Sequence, residues 1–190
     1  MKQRQKICRT KDCHCMDDES IILDKGIEML RRVVQNSVDE VGMGYADEIR
    51  VEVDSKKNCI SIADNGCGIP KGKVPLAFGL VNNAGGMYDD SWMSSFDPFG
   101  GVRLVVANSI CVEIVSRREG FVERVVCRES SIVDNCVEVN AEYHEHGLMV
   151  RFNPRNEVWK IKQSDRKRVE ELVNDMTKAF KGLNVVLKWI

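Results

Sequence analysis

The run "IADNGCGIP", Ile62 to Pro70, places a carboxylate, two glycines and a proline within a few residues, directly behind the strand-like "EIRVEVDSKKNCIS". Asp, Asn, Gly and Pro are the usual makers of tight turns. The same residues also suit a ligand approached closely by backbone, with the acid of Asp64 aimed at one donor on it. Upstream, "QNSVDE" sets Asn36 and Asp39 three residues apart, and so on one face of a helix. Taken alone, that pair reads as a solvated helix face.

The eight cysteines are a further source of chemistry. In "CRTKDCHC", Cys8, Cys13, His14 and Cys15 fall close together. Three thiols and an imidazole can hold zinc, but the paired C-x-x-C of a zinc knuckle is missing. Zinc on Cys8, Cys13 and Cys15 therefore stands as the alternative to a frayed, redox-sensitive N-terminus. Cys59, Cys111 and Cys127 lie in strand-like runs, where a free thiol behaves as a small buried hydrophobe. Cys67, between two glycines, is expected to be more exposed than these and to be a reactive thiol.

These residues need elements to hold them. "ESIILDKGIEMLRRVVQNSVDEVGMG" has one apolar stripe at helical spacing, closed by Gly42–Gly44. "EIRVEVD" and "NCISIAD" alternate as strands, and the polar "SKKN" between them suits a hairpin. "KVPLAFGLVNNAGG" reads as a short helix ending at Gly85 and Gly86, and "MYDDSWMSSFDPFGG" as a long loop holding Trp92. "VRLVVANSI" reads as helical or buried, "CVEIVSRREGFVERVVCRE" as a second hairpin, and "HGLMVRFNP" as a strand. An amphipathic helix over Ser164–Lys181 and a last strand, "LNVVLKWI", end the chain. The expected class is α+β: a two-layer sandwich, its mixed, mostly antiparallel sheet covered by helices on one face. Residues 1–20 form a short, poorly ordered segment and 21–190 a single domain.

Composition narrows the partners. The 190 residues are 43% hydrophobic and 30% charged, ordinary for one globular domain with a real core. A formal net charge of -1 leaves no basic footprint for a nucleic-acid backbone, so no direct DNA binding is expected. No apolar run reaches the roughly 20 residues of a membrane helix. The basic start lacks a signal-peptide core, which points to the cytoplasm. His144 and His146, flanked by Glu, read as surface residues.

Taken in order, the motifs resemble the ATP-binding module shared by gyrase B and topoisomerase IV B subunits, mismatch-repair MutL proteins, a heat-shock chaperone and histidine kinases. The resemblance is strongest to gyrase B and topoisomerase IV B and covers about Asp24 to Ile190. The subfamily's E-V-V-D-N-x-x-D-E is similar to "RVVQNSVDE", its D-D-G-R-G-I-P to "DNGCGIP", its H-A-G-G-K-F-D to "NAGGMYDD", and its G-T-x-V-x-F-x-P to "GLMVRFNP". It implies ATP and Mg2+ as cofactors. Asp64 would accept a hydrogen bond from the exocyclic amine of adenine, and Gly66, Gly68, Ile69 and Pro70 would shape the wall beside base and sugar. Asn36 would face a magnesium ion on the phosphates and Asp39 would shape the floor. Gly85, Gly86, Gly100 and Gly101 would flank a lid over the phosphates.

The departures concern the phosphate side. The general-base glutamate of the family falls on Arg32, whose guanidinium cannot accept a proton. Glu28, one turn away, is the substitute candidate. Gln35 replaces an acid, Met87 a lysine, and Leu148 the threonine that supports the adenine-binding acid. The lid keeps only "DPFGG". The resemblance thus implies an adenine-nucleotide binding module impaired in hydrolysis. The alternatives are a non-catalytic scaffold that has lost nucleotide, with a protein partner or a second copy of the chain, and an active ATPase of another branch. The chain stops where the family's transducer domain would begin and lacks a DNA-cleaving region, so alone it is not expected to be a topoisomerase.

Overall fold

The computed structural model describes residues 18–78, 80, 101–118, 120–139 and 145–190. The stripe of apolar residues in the first segment builds helix α1 (Asp18–Gly42), which buries Ile27, Leu30, Val33, Val34 and Val38 against the sheet. Gly44, at φ 78, turns the chain out of the helix, its N–H donating to the carbonyl of Val41. Near its other end α1 packs on Trp159: a Cβ on Gly26 would lie 2.3 Å from the indole ring.

The strands are β1 (Glu48–Asp54), β2 (Cys59–Asp64), β3 (Ser109–Arg118), β4 (Phe121–Arg128), β5 (Ser131–Val139), β6 (Gly147–Pro154) and β7 (Asn184–Trp189). Among the described residues they form one seven-stranded sheet in the order β5-β4-β3-β6-β2-β1-β7. Only the β1–β7 pair is parallel. Short helices α2 (Val74–Ala77) and α3 (Gly101–Ala107) and the longer α4 (Arg166–Thr177) complete the described elements.

Register explains the layering. Leu187, Val51, Ile62, Val150, Ile114 and Val125 are successive partners across six strands, and Trp189, Val53, Ile60, Phe152, Val112 and Cys127 make a parallel row. Both rows face α1, α3 and α4 in one core. Residues that alternate with these along the strands point the other way, and charged pairs form among them: Arg124 pairs with Glu113 at 2.7 Å and with Asp134 at 2.8 Å, and Lys188 with Glu52 at 3.6 Å. The sandwich is therefore two-layered, with helices on one face of the mixed sheet, as the alternation predicts.

Some elements differ from expectation. The helix after the glycine motif stops at Ala77, well before Gly85. Pro75 starts it favourably, but Phe78 already leaves helical geometry. The last helix is shorter than Ser164–Lys181 because Asp165 ends a 3-10 turn, accepting from Trp159 Nε1 at 3.0 Å and Lys162 N at 2.9 Å. Strand β5 is not legible as a strand in the sequence. Most of its residues are exposed, so the alternation that reveals a half-buried strand is absent.

Candidate functional site

The next row of the covered sheet face is polar. Asp64 on β2 pairs with Ile49, Ser116 on β3 pairs with Leu148, and Glu123 on β4 pairs with Ser116. Ser116 and Glu123 are fully buried and Asp64 is half-buried. The glycine segment is strung along this row, across the ends of the strands. Gly66 N donates to Asp64 Oδ1 at 3.1 Å, Ile69 N to Ser116 Oγ at 2.7 Å, and Gly72 N to Glu123 Oε2 at 2.7 Å. Between these anchors Cys67 N donates to Glu40 Oε2 on α1 at 3.0 Å. Pro70 and Lys73 close a turn through a carbonyl–amide bond of 3.0 Å, with Gly72 at φ 74.

Asp64 is the centre of this arrangement. Its Oδ2 accepts from Ser37 Oγ at 2.7 Å, and its Oδ1 accepts from Gly66 N and, at 3.2 Å, from Leu148 N. A carboxylate has about four lone-pair sites. Among the described residues three are used, which leaves one acceptor on Oδ2. Burial pushes the Asp64 carboxyl above its ordinary range, while its three donors oppose the shift. The threonine expected at Leu148 is thus not needed to fix this acid: the backbone of position 148 and the hydroxyl of Ser37 do so.

Two glycines are dictated by backbone crossings. Gly68 sits at φ 65, and a Cβ there would lie 2.3 Å from the carbonyl oxygen of Arg117. A Cβ on Gly147, at φ 131, would lie 2.1 Å from the carbonyl oxygen of Asp64. On Gly66 it would meet Glu40 Oε2 at 2.6 Å. Backbone thus demands a small residue at Gly68 and Gly147, whereas at Gly66 the close atom is the movable end of the Glu40 side chain.

From α1, Asn36, Ser37 and Glu40 are buried over the same end of the sheet. Asn36 Nδ2 is buried and has no hydrogen-bond partner among the described residues, an unsatisfied donor beside the Asp64 clamp. Asp39 accepts from Gln35 Nε2 at 2.7 Å, and burial raises its pKa above the ordinary value, with a smaller push from Glu40. Glu28 is engaged by both arginines, Arg32 Nε at 2.6 Å and Arg31 Nε at 3.4 Å. Ile69 is fully buried and Pro70 half-buried.

Cys67 is half-buried, and burial, a hydrogen bond to Glu40 and the Glu40 charge push its thiol up to about 12. A thiol raised in this way is a weak nucleophile at neutral pH, which counts against Cys67 as a reactive thiol. Gly85, Gly86, Gly100, Met87, Trp92, His144, Cys8, Cys13, His14 and Cys15 lie outside the described residues; Gly101 begins α3. His146 is exposed. Among the described residues no three acid, His or Cys groups converge as a metal site, and no helix is long and apolar enough to cross a membrane. A groove of about 320 Å³ on the uncovered sheet face, lined in part by Glu52, Lys57, Cys59 and Arg151, shares no residue with the Asp64 cluster.

Sequence reasoning missed Ser37 and Glu40. Both stand in "QNSVDE", and their signal was a polar residue on the helix face that carries Val33 and Val34.

Comparison with known proteins places this geometry. Residues 24–166 match the family model described as histidine kinase-, DNA gyrase B-, and HSP90-like ATPase. The chain is 29% identical over 170 residues to the DNA gyrase B protein of Archaeoglobus fulgidus, covering 84% of this chain and 27% of that protein. It is 30% identical over 166 residues to the DNA gyrase B protein of Thermotoga maritima, covering 83% and 26%. Among solved structures, the 43K ATPase domain of Thermus thermophilus gyrase B in complex with an aminocoumarin superimposes with a TM-score of 0.64 at 22% identity, over 85% of this chain and 42% of that one. The chain thus spans about a quarter of the length of these curated relatives.

Proposed function

Because the chain belongs to the histidine kinase-, DNA gyrase B- and HSP90-like ATPase family, we propose that residues 21–190 act as a module that binds an adenine nucleotide at the Asp64 end of the sheet and hydrolyses it poorly or not at all. The supporting observation is the single acceptor left on Asp64 Oδ2 after Ser37, Gly66 and Leu148 have taken the others. An exocyclic amine satisfies it. A guanine carbonyl in that place would set acceptor against acceptor and leave the last acceptor of a half-buried carboxylate unmet, a cost of about 1–3 kcal/mol. Because the carboxylate is pinned from three sides before any ligand arrives, little ordering remains to be done on binding.

Magnesium is the cation implied by the family. The buried Asn36 Nδ2, without a partner among the described residues, is a donor suited to a phosphate oxygen, so the ion itself would be held only by the Asn36 side-chain oxygen. It is one neutral ligand, so phosphate oxygens would supply most of the coordination. The bound ion would neutralise phosphate charge. Glu28 is tied to Arg31 and Arg32, and Arg32 itself has no proton-accepting atom. Lack of a general base costs a factor of about 10²–10⁴ in rate.

The test is calorimetry with ADP and ATP on the full chain, with Asp64→Asn alongside. Binding by the wild type and its loss in the variant are expected. Absence of binding at about millimolar nucleotide, a weak-affinity limit, would leave the scaffold reading. Turnover should be at background, and Arg32→Glu should restore some of it. Robust wild-type hydrolysis would overturn the impaired reading. Pairing with a second copy or with a protein partner, and a cytoplasmic setting, are carried as part of the same proposal. The DNA-directed work of the longer relatives is not.

A further inference from the structure

The second half of α1 runs from basic to acidic. Its C-terminal turns carry Asp39 and Glu40, and Ser37 there holds the carboxylate of Asp64. Arg31 and Arg32 stand one to two turns nearer the N-terminus. Between them Asn36 presents a buried amide N–H2 with no partner among the described residues. Residues four apart stack on one helix face, and helical side chains lean toward the N-terminus, so the Asn36 amide and the Arg32 guanidinium border the same patch. From Ser37 to Arg32 the helix rises about 7.5 Å. A ligand whose donor-bearing end meets Asp64 and whose other end is anionic matches this order. The reverse orientation would bring its anionic end against three carboxylates.

Resting on the nucleotide reading above, we propose that Arg32 is the phosphate receptor of this site and that Glu28 is its built-in competitor. Arg32 Nε donates to Glu28 Oε1 at 2.6 Å, and the Arg32 side chain is 43% exposed. A surface carboxylate–guanidinium pair of this kind is worth little, whereas phosphate offers the same planar donor fork more charge and more acceptors. The anionic tail therefore displaces Glu28 from Arg32, and Arg31 retains the Glu28 carboxylate through its own contact at 3.4 Å. Asn36 Nδ2 supplies a second donor to the tail. A fixed protein cation then shares the charge-neutralising role of a divalent ion, and phosphate recognition persists without metal.

The experiment is calorimetry of the full chain with adenosine, ADP and ATP, in EDTA and in Mg2+, for wild type, Arg32→Gln, Arg32→Lys and Glu28→Gln, each checked for folding by its melting curve. For wild type in EDTA, ATP should bind tighter than adenosine by on the order of ten- to a hundredfold. Arg32→Gln should erase that increment and leave adenosine binding intact, Arg32→Lys should keep part of it, and Glu28→Gln should raise ATP affinity. An increment that Arg32→Gln retains, or one that exists only with Mg2+, overturns the assignment while leaving adenine recognition standing. Failure of adenosine to bind wild type overturns the nucleotide reading itself, and this inference with it.

Discussion

The Ser37 hydroxyl donates to Asp64 Oδ2 across 2.7 Å, joining the C-terminal turns of α1 to the end of β2. Removing it as Ser37→Ala strips one donor from a half-buried carboxylate, a loss of about 1–3 kcal/mol. A fall in melting temperature of a few degrees is expected, together with weaker adenine-nucleotide binding by calorimetry. Ser37→Thr, which keeps the hydroxyl, should retain more of the affinity than Ser37→Ala. Equal affinities for Ser37→Ala and wild type would separate Ser37 from the site.

Asp64 carries a pH signature. Burial raises its folded-state pKa above the ordinary 3.8. Its contribution to stability is therefore fully present below the unfolded pKa and is lost as pH rises through the folded value. Asp64→Asn, which carries no charge to desolvate, should melt higher than wild type near neutral pH. The gap should narrow as pH falls. Nucleotide affinity, which needs the ionised acceptor, should run the opposite way and fail in acid at a higher pH than an ordinary carboxylate would allow. A variant that melts lower at neutral pH and gains no relative ground there would contradict the desolvation account.

Gly68 and Gly147 should not tolerate alanine. Their added Cβ atoms would stand 2.3 Å and 2.1 Å from backbone carbonyl oxygens, at positive φ. Neither oxygen can rotate away, and destabilisation of more than about 3 kcal/mol is expected for each. Gly72 is the control: it too has positive φ, at 74°, but nothing lies within 4 Å of its Cβ position. Gly72→Ala should cost only about 1–2 kcal/mol. Urea denaturation of the three variants measures the difference.

Thiol reactivity should follow burial and charge. Cys67, with its thiol pushed up to about 12, stays protonated at neutral pH, while Cys136 on β5 is exposed. Timed alkylation with peptide mass mapping should label Cys136 well before Cys67. Glu40→Gln removes the carboxylate that raises Cys67 and should speed its labelling. Early labelling of Cys67 in the wild type would show that the Glu40 contact does not persist in solution.

Much of the fold was legible because half-buried elements advertise themselves. The α1 stripe, the alternation of β1, β2, β3, β4 and β6, and the Gly-containing hairpin each repeat a period set by burial on one side. Strand β5 has no such period, since nearly all of it is exposed. The length of α2 was overread because an apolar run after a proline carries no mark of where tertiary contacts end it. In the site, Asp64 and Asn36 were legible as chemistry-bearing residues. Ser37 and Glu40 were not, because their importance lies in partners 27 residues away.

By itself the sequence determined which side chains are present and which faces they share: an acid among glycines, an amide on a helix face, and a guanidinium at position 32 that accepts no proton. Those are properties of residue chemistry and local period, fixed before folding. Only the tertiary structure decided that Gly68 and Gly147 must yield to neighbouring backbone, that burial and Glu40 push the Cys67 thiol up, and that the described residues leave one acceptor of Asp64 open. Each of these depends on strands and a helix distant in sequence arriving within van der Waals or hydrogen-bond reach, and no local pattern encodes that reach.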